Sequence, residues 1–112
     1  MGQLEITVTA GETGPVVTLS GESDQSVTGQ LRDALDTLIA GGAKHVTLDV
    51  SRLRFADSAA IRVLLEANRA LKRADGFLEL AFPQPVVAVA LHLMGVDRIL
   101  TVRPQIDTDT DD

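Results

Sequence analysis

Asp57-Ser58 is the pair in this chain best placed to do chemistry, because it stands where a strand pattern ends and a long helical pattern begins. An aspartate at that junction can cap the free backbone N–H groups of the first turn, worth about 1 kcal/mol. Ser58 then falls at the first helical position, its hydroxyl close to the positive helix end. A phosphate there gains roughly 0.3–1 kcal/mol from the helix dipole, and repulsion from the Asp57 carboxylate acts against that gain. Phosphorylation should therefore leave the fold nearly intact while presenting about −2 charge to whatever docks on that surface. On the residues alone, a plain helix cap is the simpler reading and a phospho-switch the sharper one.

Other reactive groups point away from catalysis. Glu22 and Asp24 are spaced as paired carboxylates, but Ser23 and Gln25 surround them in a polar stretch from Gly21 to Ser26. Loop capping or a partner contact suits them better than acid/base work. His45 and His92 fall in separate elements with no ligand spacing, which makes both structural or surface residues. The glycines fit neither the phosphate loop with its lysine nor the dinucleotide fingerprint. Without cysteine there is no disulfide, thiolate metal site or thiol nucleophile. No enzyme activity and no cofactor are expected.

The 112 residues suit one domain, and 45% apolar with 23% charged residues describe a globular chain. The longest apolar run, Val86 to Leu91, falls far short of the roughly 20 residues that span a bilayer. No membrane insertion is expected, and the N-terminus shows no secretion signal, so the expected location is the cytoplasm. Net charge is −6 and there is neither Trp nor Tyr. Both facts argue against a nucleic-acid partner. Asp107, Asp109, Asp111 and Asp112 crowd into the last residues, so the expected division is a domain over 1–104 and a disordered acidic tail over 105–112.

The elements that must position Asp57-Ser58 are read from periodicity. Leu4 to Val8 alternates as a half-exposed edge strand, and Val16 to Leu19 returns as its hairpin partner. Val27, Leu31, Leu35 and Leu38 mark a first helix, capped by Ser26 or Asp24 and stopped by Gly41-Gly42. His45 to Val50 is a third, central strand, and Ser51 to Ala56 a loop approaching the switch. From Ser58 to Ala74, Ile61, Leu64, Leu65, Asn68 and Leu71 form a buried stripe, with Arg62, Glu66, Arg69 and Arg73 on the wet face. Phe77 to Phe82 is a fourth strand, Pro85 opens a short helix closed by Gly95, and Ile99 to Val102 is a last strand. The order β-β-α-β-α-β-α-β predicts an α/β sandwich with a mostly parallel sheet and right-handed crossovers. Val86 to Met94 is apolar all round except for His92, so it is either buried on both sides or leaves a patch for a partner or a second copy.

Read along its length, the chain resembles the STAS family of bacterial anti-sigma factor antagonists. The resemblance runs from about Leu4 to Val102. Gly21-Glu22-Ser23-Asp24 is similar to the family's Gly-Glu-apolar-Asp, and Leu31 to Leu35 to its first helix. His45 to Ser51 followed by Leu53-Arg54-Phe55 matches the approach to the switch. Asp57-Ser58-Ala59-Ala60-Ile61-Arg62-Val63-Leu64-Leu65 resembles the signature Asp-Ser-Ser/Thr-Gly-Leu-Gly/Arg-Val-Leu-Leu, and Met94 to Ile99 the closing motif. Three positions depart from it: Ala59 replaces a second hydroxyl, Ala60 a glycine, and Ser23 an apolar residue.

The resemblance implies a single-domain STAS-like fold, a mixed sheet with an N-terminal hairpin and helices packed on it. It implies partner switching: the unmodified antagonist binds an anti-sigma factor that is also a serine kinase, is phosphorylated and released, and is reset by a phosphatase. Ser58 would be the acceptor, with Glu22, Asp24, Asp57, Ala59, Ala60 and Arg62 at the partner surface. ATP and magnesium would belong to the kinase. The resemblance also leaves a runner-up, since some STAS domains are subunits of ATP-driven lipid transporters, docked constitutively on the nucleotide-binding subunit; a third role, as scaffold of a stress-signalling assembly, would need a larger chain.

Overall fold

Apolar residues two apart in the strands and three or four apart in the helices decide which surfaces meet. The computed structural model describes residues 3–104 of the chain, so the acidic tail expected over 105–112 lies outside the described residues. The elements are β1 (Leu4–Ala10), β2 (Pro15–Ser23), α1 (Thr28–Ala40), β3 (His45–Ala56), α2 (Ser58–Arg73), β4 (Phe77–Ala81), α3 (Pro85–Leu93) and β5 (Thr101–Arg103). A 3₁₀ turn over Val96–Arg98 precedes β5. The sheet order is β1-β2-β3-β4-β5, with β1 antiparallel to β2 and every other pair parallel. The expected element order and mixed, mostly parallel sheet are both present.

Each parallel step moves one strand along in the same direction, so right-handed crossovers set α1, α2 and α3 on one face. In-register partners share that face: Val17 lies beside Leu48, and Leu48 beside Leu80. These three join Leu31 and Leu35 of α1, Ile61 and Leu64 of α2, and Val87 and Leu91 of α3 in one buried cluster. The opposite face carries Thr7, Thr18 and Asp49 in a row. Two polar ties fix the far side of the sheet. Buried Asn68 accepts the Leu78 N–H at 3.0 Å, joining α2 to β4. Buried Glu79 accepts two bonds from the Arg103 guanidinium, at 2.7 and 3.2 Å, joining β4 to β5.

Four local expectations need correction. Gly21 to Ser23 is not loop but the end of β2, and Ser51 to Ala56 is not loop but the second half of β3. The two polar stretches pair with each other, Gly21 with Leu53, Glu22 with Phe55 and Ser23 with Ala56. Register shifts at Thr18/Ser20 and Gly21/Glu22 keep Leu53 buried while Arg52 and Arg54 stay in water. Pairing thus overrides weak strand propensity. Gly21, at φ 111°, is needed because a Cβ there would run into the Gln3 carbonyl.

The α1 cap is the third correction. Val27 occupies the cap position with no side-chain bond, because Asp24 is used in a turn. Its carboxylate takes the Ser26 N–H at 3.0 Å and the Ser26 hydroxyl at 2.6 Å. Last, Ile99 and Leu100 do not enter the sheet, and the last strand is Thr101–Arg103 instead of Ile99–Val102. Gly95 turns left-handed at φ 74°, Val96–Arg98 tightens into the 3₁₀ turn, and Ile99 is left exposed.

Candidate functional site

The elongated β2 and β3 end side by side, which carries the two acidic segments to one place. Ser23 pairs with Ala56, and the next N–H, from Asp57, donates to the Ser23 carbonyl at 3.1 Å. Asp57 is extended (φ −86°, ψ −179°), and its carboxylate accepts the Ala60 N–H at 2.9 Å. It is therefore the N-cap of α2, as its sequence position implied. Ser58 opens the helix and is exposed, and Arg62 is exposed one turn further along the same face. Ala59 is half-buried. Ala60 is buried, so its side chain seats the first turn on the core and offers no surface of its own.

Glu22 sits at the same end of the sheet, 3.8 Å from Arg54. Asp24 follows one residue after the strand. The Ser26 hydroxyl bonded to Asp24 holds its carboxyl below the usual carboxylate range, so Asp24 is fully ionised at neutral pH. Whatever stability this shift supplies is present above the ordinary carboxylate pKa and is lost as pH falls through the lowered value. Glu22, Asp24 and Asp57 thus belong to the same end of the sheet as the serine that opens α2.

Beside this acidic end lies an apolar cleft of about 180 Å³ between the end of β3 and α3. Phe55, Ala56, Ile61, Val86, Ala90 and Leu91 line it, with Arg54 at its rim. Helix α3 buries Val87 and Leu91, one turn apart. It leaves Val86, Val89 and Leu93 at 65, 57 and 78% exposure. Of the two expectations for Val86 to Met94, the structure has the uncovered patch and not burial on both sides. No periodicity in the sequence marks the cleft; its local signal is Phe55, an aromatic just before Asp57 that stays half exposed.

The remaining candidates stay apart from this site. His45 stacks on Phe77 with ring centroids 4.2 Å apart, and its Nε2 lies 3.6 Å from Glu79. His92 pairs with Asp97 at 2.8 Å on the surface. Among the described residues no group of three His, Cys, Asp or Glu side chains could hold a metal, and no helix is long and apolar enough to cross a membrane.

Two substitutions probe how the site is held. Asp57→Ala should cost about 1 kcal/mol in urea unfolding through loss of the cap, and no loss would mean that water replaces the carboxylate without cost. Ser23 is the opposite case: it is buried, and its hydroxyl has no hydrogen-bond partner among the described residues. An unsatisfied buried polar group costs about 1–3 kcal/mol. Ser23→Ala should therefore raise stability by about 1 kcal/mol, read as a higher urea midpoint at unchanged m. A lower midpoint would show that the hydroxyl is bonded in solution.

A family model described as "Mlab, STAS domain" matches residues 6–102. Among solved structures, an anti-sigma factor antagonist from Mycobacterium paratuberculosis is similar with TM-score 0.84 and 23% identity, covering 98% of this chain and 96% of that one. The anti-sigma factor antagonist SpoIIAA in its unphosphorylated form is similar with TM-score 0.73 and 26% identity, over 100% of this chain and 94% of that one. The Bacillus cell fate determinant SpoIIAA in its phosphorylated form gives TM-score 0.67 and 25% identity, over 100% and 97%. No curated protein matched the sequence.

Proposed function

Because the chain belongs to the STAS-domain family, we propose that it acts as an anti-sigma factor antagonist, binding an anti-sigma factor that is a serine kinase and being switched off by phosphorylation of Ser58. The observation that carries this reading is the exposed hydroxyl at the first position of α2, beside its Asp57 cap and next to an uncovered apolar cleft. The similar SpoIIAA is known in phosphorylated and unphosphorylated forms. Glu22, Asp24, Asp57 and Arg62 form the polar part of the docking surface, with the half-buried methyl of Ala59 among them and Ala60 seating it. The cleft and the outward stripe of α3 form the apolar part, a division common to protein interfaces. ATP and magnesium come with the kinase, a separate phosphatase resets Ser58, and the setting is the cytoplasm. Self-association through Val86–Met94 would use the same stripe and compete with the partner.

Calorimetric titration with the cognate kinase tests this. The unmodified chain should bind, binding should be lost after incubation with ATP, and Val89→Lys should weaken it at least tenfold. An unmodified chain that fails to bind the kinase contradicts the proposal. A second reading is favoured by Ala59, which removes the neighbouring hydroxyl: constitutive docking on the nucleotide-binding subunit of an ATP-driven lipid transporter. Its mark would be a chain that stays unmodified by the kinase yet co-purifies with that subunit.

A further inference from the structure

Among the described residues nothing pairs with the outer edge of β1, and the strand's own sequence does nothing to close it. Natural edge strands are blunted by lysines, prolines, bulges or short length. Leu4-Glu5-Ile6-Thr7-Val8-Thr9-Ala10 has one charge, no proline and an unbroken register with β2. Which backbone groups face outward follows from that register. Glu22 N–H bonds to the Gln3 carbonyl and Gly11 N–H to the Gly14 carbonyl, both at 2.9 Å, on the same diagonal as the β1–β2 pairs. Antiparallel pairs alternate between bonded and unbonded. Glu5, Thr7 and Thr9 therefore bond to β2, while Leu4, Ile6, Val8 and Ala10 turn their N–H and C=O groups to the open edge.

We infer that this edge pairs with β1 of a second copy of the chain, antiparallel and two-fold about Thr7. In that register Ile6 meets the partner's Val8 and Leu4 meets the partner's Ala10, each pair exchanging two hydrogen bonds. Thr7 meets the partner's Thr7 in an unbonded pair. Glu5 falls opposite the partner's Thr9, so no two carboxylates oppose each other, even though the chain carries net charge −6. Side chains agree with backbone. Leu4 and Ile6 are only partly buried against the core and Val8 is 47% exposed. A second strand would extend this apolar row, because all three lie on the helix-bearing face. One strand pairing covers less than the roughly 800 Å² per partner of a standard complex, so the dimer is concentration-dependent.

The absence of cysteine makes the register directly testable in the full chain. Thr7→Cys should form a disulfide dimer under mild oxidant, since Cα atoms in an unbonded antiparallel pair lie about 4.5 Å apart. Thr37→Cys, exposed on α1, is the control and should cross-link far more slowly. By sedimentation velocity the unsubstituted chain should shift to dimer as concentration rises. Val8→Pro removes an outward N–H, a position where an edge strand accepts proline, and should stay monomeric with an unchanged circular dichroism spectrum. Thr7→Cys keeps the test independent of whether Val8→Pro folds. The inference is overturned if Thr7→Cys cross-links no faster than the control, or if a dimer survives Val8→Pro and is lost in Val89→Lys.

Discussion

Ser58→Glu should reduce affinity for the anti-sigma kinase at least about 100-fold, on the order of 3 kcal/mol, while leaving the urea midpoint within experimental error. The two halves of this expectation come from different parts of the geometry. Ser58 is exposed and its backbone already follows the helix, so a charge there needs no rearrangement. The positive helix end favours it and the Asp57 carboxylate opposes it. Docking is another matter. A partner covering the cleft beside Ile61 and Phe55 would also cover the new charge and strip it of water, a cost of several kcal/mol when no counter-charge is supplied. Glu22, Asp24 and Asp57 supply none. Arg62, four residues on and on the same helix face, is a cation that a phosphate on Ser58 can recruit, and a phosphate that does so takes it from the partner. Arg62→Ala belongs in the same titration: it should weaken binding of the unmodified chain and leave folding intact.

The largest loss of stability should come from Leu48→Ala. Leu48 lies on the middle strand, fully buried, between Val17 on β2 and Leu80 on β4. All three helices pack onto the cluster it belongs to, so no single element can move in to fill the gap. Buried Leu→Ala changes cost about 2–5 kcal/mol, a large share of the roughly 5–15 kcal/mol that holds a domain together. Chemical denaturation reads the loss directly. A change below about 1 kcal/mol would mean that the β3 register places Leu48 elsewhere.

What the amino-acid sequence makes legible depends on the physics of each element. Helices α2 and α3 were readable because a 3.6-residue period, Asp57 at one end and Gly95 at the other are local signals. The convergence of Glu22, Asp24 and Asp57 was readable from topology, since loops after parallel strands gather at one end of the sheet. The length of β2 and β3 was not. Gly21-Glu22-Ser23 and Ser51-Arg52 have poor strand propensity alone, and only their mutual pairing makes them strand. The missing α1 cap has the same origin, because extension of β2 leaves Asp24 at the turn. The cleft is a tertiary object, made by β3 and α3 meeting across the first turn of α2. Periodicity could show that α3 had an apolar side to spare, but not that it adjoined the switch.

We propose that this surface is switched at Ser58, and intact mass spectrometry after incubation with the cognate kinase, magnesium and ATP decides it. One phosphoryl group should be added to the unsubstituted chain and none to Ser58→Ala. A chain that binds the kinase yet remains unmodified, or one whose phosphoryl group persists in Ser58→Ala, would contradict it.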